Sequence, residues 1–440
     1  MIVQTEIRSS SCCYLTQSES HQANAVFKIV SKDEDTGKHS SPKFLCWSGW
    51  RFKLEIKVAE RNETRAERIQ RVLDSNPVID GHNHFPETLQ RVVGNNLTLV
   101  DLNSDLTRNP LFGTDNRSQT DLPRLRSGKV GGQFWVAFVP CDARDAVEKG
   151  LEQVDLIHRL AEQYPEQLKL VVSTSEIQES VAEGRIASLI GVEGGHVINS
   201  NLAVLRSFYR AGVRYLTLAH TCNTPWIDSA QVELGVYPTG IYGLSQFGEH
   251  VILEMNRLGM MVDLSHTDTA AMRHGLRISR APVIFSHAGA RAVFDHPRNV
   301  PDDVLERVAA NGGVVLVTLY PCYLGPGCNS DRGARHLVYH IDHIRRVAGV
   351  DHVGLGSDYD GMDRVPAGLE DVSRFPALFL VLLEHSEFSW TDEELEKLAR
   401  RNLLRVFRRV EMVADRLRAE GTLADGTRID RADLIQPCET

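Results

Sequence analysis

Eight times between residues 77 and 361 a short apolar or β-branched run ends in polar residues, opens into a loop and gives way to a helical pattern. The runs are PVID before GHNH, QFWVAFVPC, ASLIGVEGG, RYLTLAH, MMVDLSH, PVIFSH, GVVLVTLY and HVGLGSDYDG. Helical stretches such as RDAVEKGLEQVDLIHRLAEQY, SNLAVLRSFYRAG, SQFGEHVILEMNRLG and TDTAAMRHGLRIS lie between them. Strands that are apolar throughout, rather than alternately, are buried on both faces, as in a parallel sheet. Eight strand–helix units in about 280 residues suit a (β/α)8 TIM barrel, which typically takes about 250. A doubly wound open sheet ranks second, because no glycine-rich phosphate loop follows the first run.

The flanks read differently. Residues 1–64 are polar and without clear periodicity, and are expected to form an N-terminal extension of uncertain structure. The barrel domain is expected over 65–425, with an amphipathic helix after Val410 and a polar tail over 426–440. A content of 42% hydrophobic and 24% charged residues excludes disorder as the main state. The net charge of −9, with no basic block, argues against a nucleic-acid partner. No run of about 18 apolar residues could span a bilayer. The start has no apolar signal-peptide core and the end no hydrophobic anchor tail. None of the eight cysteines forms the paired CxxC spacing of a zinc ribbon. Sequons stand at Asn62, Asn96 and Asn116.

Barrel enzymes take their catalytic groups from the C-terminal strand ends. Here those ends carry His82 and His84, Glu193, His220, His266, His287 and Asp358. Each alone is more often a hydrogen-bonded structural residue than a ligand. The trio His336, His340 and His343 lies on a helical stretch, and the structural reading prevails there; His196 stands at most behind the site. Five of 17 histidines gathered at strand ends with two carboxylates instead favour metal binding. Four imidazoles (His82, His84, His266, His287) plus Glu193 exceed one catalytic zinc site, which uses three protein ligands and water. Two ions sharing Glu193 would use them all, hold a hydroxide between them and polarise a carbonyl, which points to hydrolysis.

These residues carry a resemblance. VIDGHNHFP, GGQFWVAFVPC, LIGVEGGHVI, YLTLAHTCNTPW, MMVDLSH, PRNVPDDVLERV, VGLGSDYDG and RNLLRVFRRVE occur in the order found in the membrane dipeptidase (renal dipeptidase) family, the M19 metallopeptidases. The resemblance runs over roughly residues 65–410. It implies an amidohydrolase-like barrel with two Zn²⁺ per chain that hydrolyses free dipeptides. It assigns His82, His84 and Glu193 to the first ion, and Glu193, His266 and His287 to the second. His220 is then the substrate-binding histidine that steadies the oxyanion. Arg298 grips the substrate carboxylate, and Asp358 meets the substrate amine and moves the proton. It further implies a Cys141–Cys222 disulfide, a homodimer linked through Cys438, and a glycosylated, GPI-anchored or secreted protein at the cell surface.

The chain departs from the family at two points. The first motif is usually His-x-Asp, and here reads His82-Asn83-His84; Phe294 stands where a cysteine is expected, with Cys322 or Cys328 near its partner's position. Two other functions therefore stay open: a non-catalytic or altered-activity homologue, motivated by His84, and a hydrolase of cyclic amides. Arg298 argues against the latter, since a neutral cyclic substrate needs no carboxylate clamp. A structural ion pair of Arg298 with Asp302 or Asp303, and free thiols at Cys141 and Cys222, are the competing readings of those residues.

Overall fold

The computed structural model describes residues 63–112, 118–238, 240–328 and 333–429. The chain divides at Thr64 and Arg65, and the second unit carries everything that follows. The expected N-terminal extension, the tail end with Cys438, and the sequons at Asn62 and Asn116 lie outside the described residues.

Among the described residues nine strands form one parallel sheet: β1 (Val78–Asn83), β2 (Val130–Phe138), β3 (Leu168–Leu170), β4 (Ile186–Glu193), β5 (Val213–Thr217), β6 (Met261–Asp263), β7 (Ile284–Ala288), β8 (Val314–Val317) and β9 (Val353–Leu355). Eight follow one another around the sheet, and β3 stands off that path, paired with β4. The ends of the path meet at a parallel bridge between Asn83 and Tyr359. There His84 N–H donates to the Tyr359 carbonyl at 2.8 Å and Asp358 N–H to that of His82 at 2.9 Å. Eight parallel strands alternating with helices in a nearly closed ring are the (β/α)8 barrel expected from the eight runs. The short β3, in LKLVV, was not anticipated.

Alternation along each strand builds two cores. Phe134, Val136, Leu189, Tyr215, Met261, Ile284 and Leu316 pack inside the ring. Their neighbours Trp135, Ala137, Ile190, Leu216 and Val262 pack outward beneath the helices. Gly191 makes room for Tyr215: a Cβ there would meet the tyrosine ring at distances below 2.5 Å. The helix Asn402–Ala419 joins the inner core through Leu403, Val406, Phe407 and Val410. Their i, i+3, i+4, i+7 spacing makes one apolar stripe. It corrects the helix expected to begin at Glu411: the element begins nine residues earlier, at Asn402, and is a wall of the barrel core.

The helices are punctuated as their sequences imply. Ser245 caps Gln246–Leu258 by accepting from Gly248 N–H, and Gly259 ends that helix at φ 92°. Asp268 caps Thr269–Ile278 through Ala271 N–H. Among the described residues no helix is long and apolar enough to cross a membrane.

Candidate metal centre

Parallel register sets the floor of the site. Phe138 pairs with Glu193, Glu193 with Thr217, and Thr217 with Asp263, across β2, β4, β5 and β6. Glu193 ends β4, His82 lies in β1 and His287 in β7. His84 is the residue before the helix Phe85–Val93. His266 follows β6 by three residues and Asp358 follows β9 by three; both hold left-handed backbone, with φ 68° and 69°. Non-glycine residues adopt that conformation at a cost, and such strain gathers at functional sites.

The side chains converge on Glu193. His266 Nε2 lies 3.1 Å and His287 Nε2 3.3 Å from Oε1, with His82 Nε2 at 3.5 Å. His84 Nε2 lies 3.3 Å and His220 Nε2 3.8 Å from Oε2. The rings also meet in pairs: His82 and His84 Nε2 are 3.1 Å apart, His266 and His287 Nε2 2.9 Å. Ligand atoms of His82, His84 and Glu193 fit one ion, and those of Glu193, His266 and His287 fit another, all within 4.8 Å of one another in each group. A third such group joins His82, His287 and Asp358.

Three of the four rings are oriented from behind. His82 Nδ1 faces the Tyr215 hydroxyl at 3.0 Å, and that hydroxyl donates to the Gly81 carbonyl at 3.2 Å, so the ring must donate to it. His287 Nδ1 faces Ser286 Oγ at 2.8 Å, which itself donates to Asp263 Oδ2 at 2.5 Å. His84 Nδ1 faces Glu87 Oε2 at 3.0 Å. With the hydrogen on Nδ1, Nε2 of His82 and of His287 turns a lone pair toward Glu193, the orientation a metal-ligating histidine requires. Burial drives His82, His266 and His287 well below the usual histidine range, which keeps them neutral. Burial opposes charge on His84 too, but Glu193 and Glu87 lift it well above that range. Burial would raise Glu193, yet the surrounding histidines hold it well below the usual range, as a carboxylate.

A buried carboxylate without donors is costly. Among the described residues neither oxygen of Glu193 meets a hydrogen-bond donor of good geometry, and His266 Nδ1 also lacks a partner. A divalent ion held between Glu193 and the imidazole nitrogens around it would satisfy both oxygens. Nitrogen and oxygen donors in these numbers fit divalent transition metals, zinc foremost.

The remaining expected residues stand around this centre. Arg298 is 2% exposed; its Nη2 donates to the His287 carbonyl at 3.2 Å, while Nε and Nη1 have no partner among the described residues. Asp302 pairs instead with His343 and Asp303 with Arg273, both at 2.7 Å, so the structural pairing of Arg298 with either is overturned. Asp358 Oδ1 lies 3.5 Å from His84 Nε2, and burial pushes its carboxyl up to about 7. His220, its ring 4.8 Å from that of Phe138, is held down to about 4 by burial. His336 and His340 lie apart from the centre, near the Leu324 carbonyl, and His196 faces the Val139 carbonyl. Cys141 and Cys222 form a disulfide, as do Cys322 and Cys328, whose pairing the sequence left open.

A layer beneath these side chains escaped the sequence reading. Asp80 accepts from Ser357 N–H and Oγ–H, at 2.7 and 2.6 Å, and from Gln133 at 2.9 Å. Asp263 accepts from Thr217 Oγ–H at 2.6 Å and from the backbone of Ser265 and Ser286, at 3.0 and 2.8 Å. Asp80 precedes His82 by two residues and Asp263 precedes His266 by three; an acid just before a strand-end histidine was the available signal. Asn299 accepts from Gly289 N–H and donates to the Phe294 and Tyr323 carbonyls, which fixes the loop carrying Arg298.

Comparison with known proteins agrees with this geometry. Residues 66–421 match the family model described as membrane dipeptidase (peptidase family M19). Dipeptidase 3 of Homo sapiens is 48% identical over 355 residues, covering 80% of this chain and 69% of that protein. Dipeptidase 3 of Mus musculus is 47% identical over 342 residues, covering 77% of this chain and 66% of that protein, just under two thirds of its length. A metallopeptidase from Rhodobacter sphaeroides, solved with a phosphinate mimic of the dipeptide L-Ala-D-Ala, is 26% identical with a TM-score of 0.65, over 76% of this chain and 99% of that one. From the eight-run pattern, the barrel and the cluster on Glu193 to these matches, the conclusion is the same: the chain belongs to the membrane dipeptidase family, peptidase family M19.

Proposed function

We propose that this chain is a metal-dependent dipeptidase that takes two zinc ions, with His82, His84 and Glu193 on one and Glu193, His266 and His287 on the other. The observation that carries the reading is Glu193: one buried carboxylate shared by two ligand groups, with neither oxygen meeting a hydrogen-bond donor of good geometry among the described residues. When bound, the ions would activate water and polarise the scissile carbonyl. Arg298, with two buried nitrogens that meet no acceptor among the described residues, suits a substrate carboxylate, which a guanidinium grips in a fork. Asp358 suits the substrate ammonium and can pass a proton to the leaving amine. His220, kept neutral, can donate a hydrogen bond to the oxyanion, the kind of interaction that supplies the largest catalytic term. A clamp for a free C-terminus and a carboxylate for a free N-terminus select dipeptides over longer chains.

Zinc analysis and a dipeptide panel on one purified sample test this. The reading expects two zinc ions per chain and turnover abolished by chelation and restored by zinc. Zinc content near zero that does not rise on zinc addition would overturn it. The second reading, an altered-activity homologue, rests on His84, a ring that carries no negative charge where the family has an aspartate. It expects two bound ions but slow turnover, and a gain in kcat at constant zinc for His84→Asp.

The family's cell-surface or secreted setting and a homodimer linked through Cys438 are proposed with it. Asn96 and Thr98 of one sequon are exposed, as glycosylation requires.

A further inference from the structure

We infer that Glu87 is a positioning residue for His84, and that it returns to the centre the negative charge removed when histidine stands in place of aspartate. The inference rests on the reading of His84 as a metal ligand. His84 occupies the N-cap of the helix Phe85–Val93, yet its side chain makes no capping hydrogen bond. Glu87 sits three residues on, where a glutamate ordinarily reaches back to the N-cap backbone N–H. That N–H is already given to the Tyr359 carbonyl at 2.8 Å. The Glu87 carboxylate turns instead to the ring, with Oε2 3.0 Å from Nδ1.

This contact decides which nitrogen carries the hydrogen. With Nδ1–H donated to Glu87, Nε2 is left as the donor atom, 3.3 Å from Glu193 Oε2 and 3.1 Å from His82 Nε2. The ring cannot retreat toward residue 361, because it already packs on Gly361, where a Cβ would lie 2.5 Å from His84 Cδ2. A carboxylate behind a ligating imidazole makes it a stronger base and sets its orientation. A carboxylate one ring further out therefore supplies what an aspartate at position 84 would supply by direct contact. The plainer role of Glu87, an acid in the first turn of a helix, predicts a small gain in helix stability and no effect on metal.

Zinc affinity separates the two. It is measured by competition with a chromophoric chelator on the full chain, in the wild type, Glu87→Gln, His84→Asp and the double variant, with apo thermal midpoints as the check on folding. Glu87→Gln is expected to weaken the looser of two zinc sites roughly tenfold to a hundredfold in the wild-type background. In the His84→Asp background, where the ligand carries its own charge, the same change should cost less than about twofold. An unchanged affinity, or equal losses in both backgrounds, overturns the role of Glu87 while leaving the two-zinc reading standing. A wild type that binds no zinc overturns both.

Discussion

Arg298 stands over the ring of Tyr323, its guanidinium carbon 4.9 Å from the ring centre. The aromatic face holds the cation without consuming its hydrogen-bond donors, and Nε and Nη1 meet no acceptor among the described residues. Arg298→Ala should raise KM for free dipeptides about tenfold to a hundredfold, the worth of a hydrogen bond to a charged group. Dipeptide amides, which lack the carboxylate, should lose much less. Equal losses for both substrates would contradict the clamp.

Asp263 gathers four donors: Thr217 and Ser286 hydroxyls, and the Ser265 and Ser286 amides. Asp263→Asn puts an NH2 group among them. Leaving buried donors facing a donor should destabilise the fold by at least about 3 kcal/mol. Chemical denaturation measures it, and a change under about 1 kcal/mol would show that the layer beneath the cluster on Glu193 is not structural.

His340 supplies a pH dependence away from the metal centre. Its Nδ1 accepts from Ala290 N–H at 2.8 Å and its Nε2 donates to the Leu324 carbonyl at 3.1 Å, so the fold needs the neutral ring. Burial holds it down to about 4, against 6.5 in an exposed chain. The depressed folded value means this stability is fully present above pH 6.5 and is lost as pH falls toward 4. The loss should approach about 3 kcal/mol. Stability curves at pH 7 and 4.5 for the wild type and His340→Gln test this, and an identical pH dependence in both would contradict it.

The Cys141–Cys222 bridge closes a loop across 81 positions. Replacing both cysteines with serine should cost about 4 kcal/mol in the chain-entropy account. Alkylation of both cysteines without reduction, in protein made in an oxidising compartment, would instead favour free thiols.

How much of this was readable follows from burial. The eight barrel strands are apolar on both faces, so they stood out as unbroken runs; Leu168–Leu170, three residues paired only to β4, had too little pattern to register. The terminal helix was placed too late because it follows without interruption from a π-helical turn at Lys397–Arg401, although Leu403, Val406 and Phe407 already carried its stripe. At the site, the histidines were visible because imidazoles are rare at strand ends. Tyr215, Ser286 and Ser357 were not, because a hydroxyl in an apolar run acquires meaning only through the strand beside it. The freedom of Arg298 depended on where Asp302 and Asp303 spend their charges, which no spacing reveals.

The seam between β1 and β9 has a consequence for how the chain is made. Ser357 donates to Asp80 from its amide and its hydroxyl, at 2.7 and 2.6 Å, and Asp358 N–H donates to the His82 carbonyl, partners 277 and 276 positions earlier; the His82 carbonyl also lies 3.0 Å from Ser357 Oγ, 275 positions on. The ribosome adds about 5–20 residues per second, so His82 waits on the order of 14 to 55 seconds before the strand that closes beside it exists. Contacts this distant in sequence also form late in folding. During that interval four histidines and a glutamate of the cluster emerge one after another with no enclosure around them. A nascent chain can thus neither shield its metal-binding groups nor select among metals until almost the entire barrel has emerged.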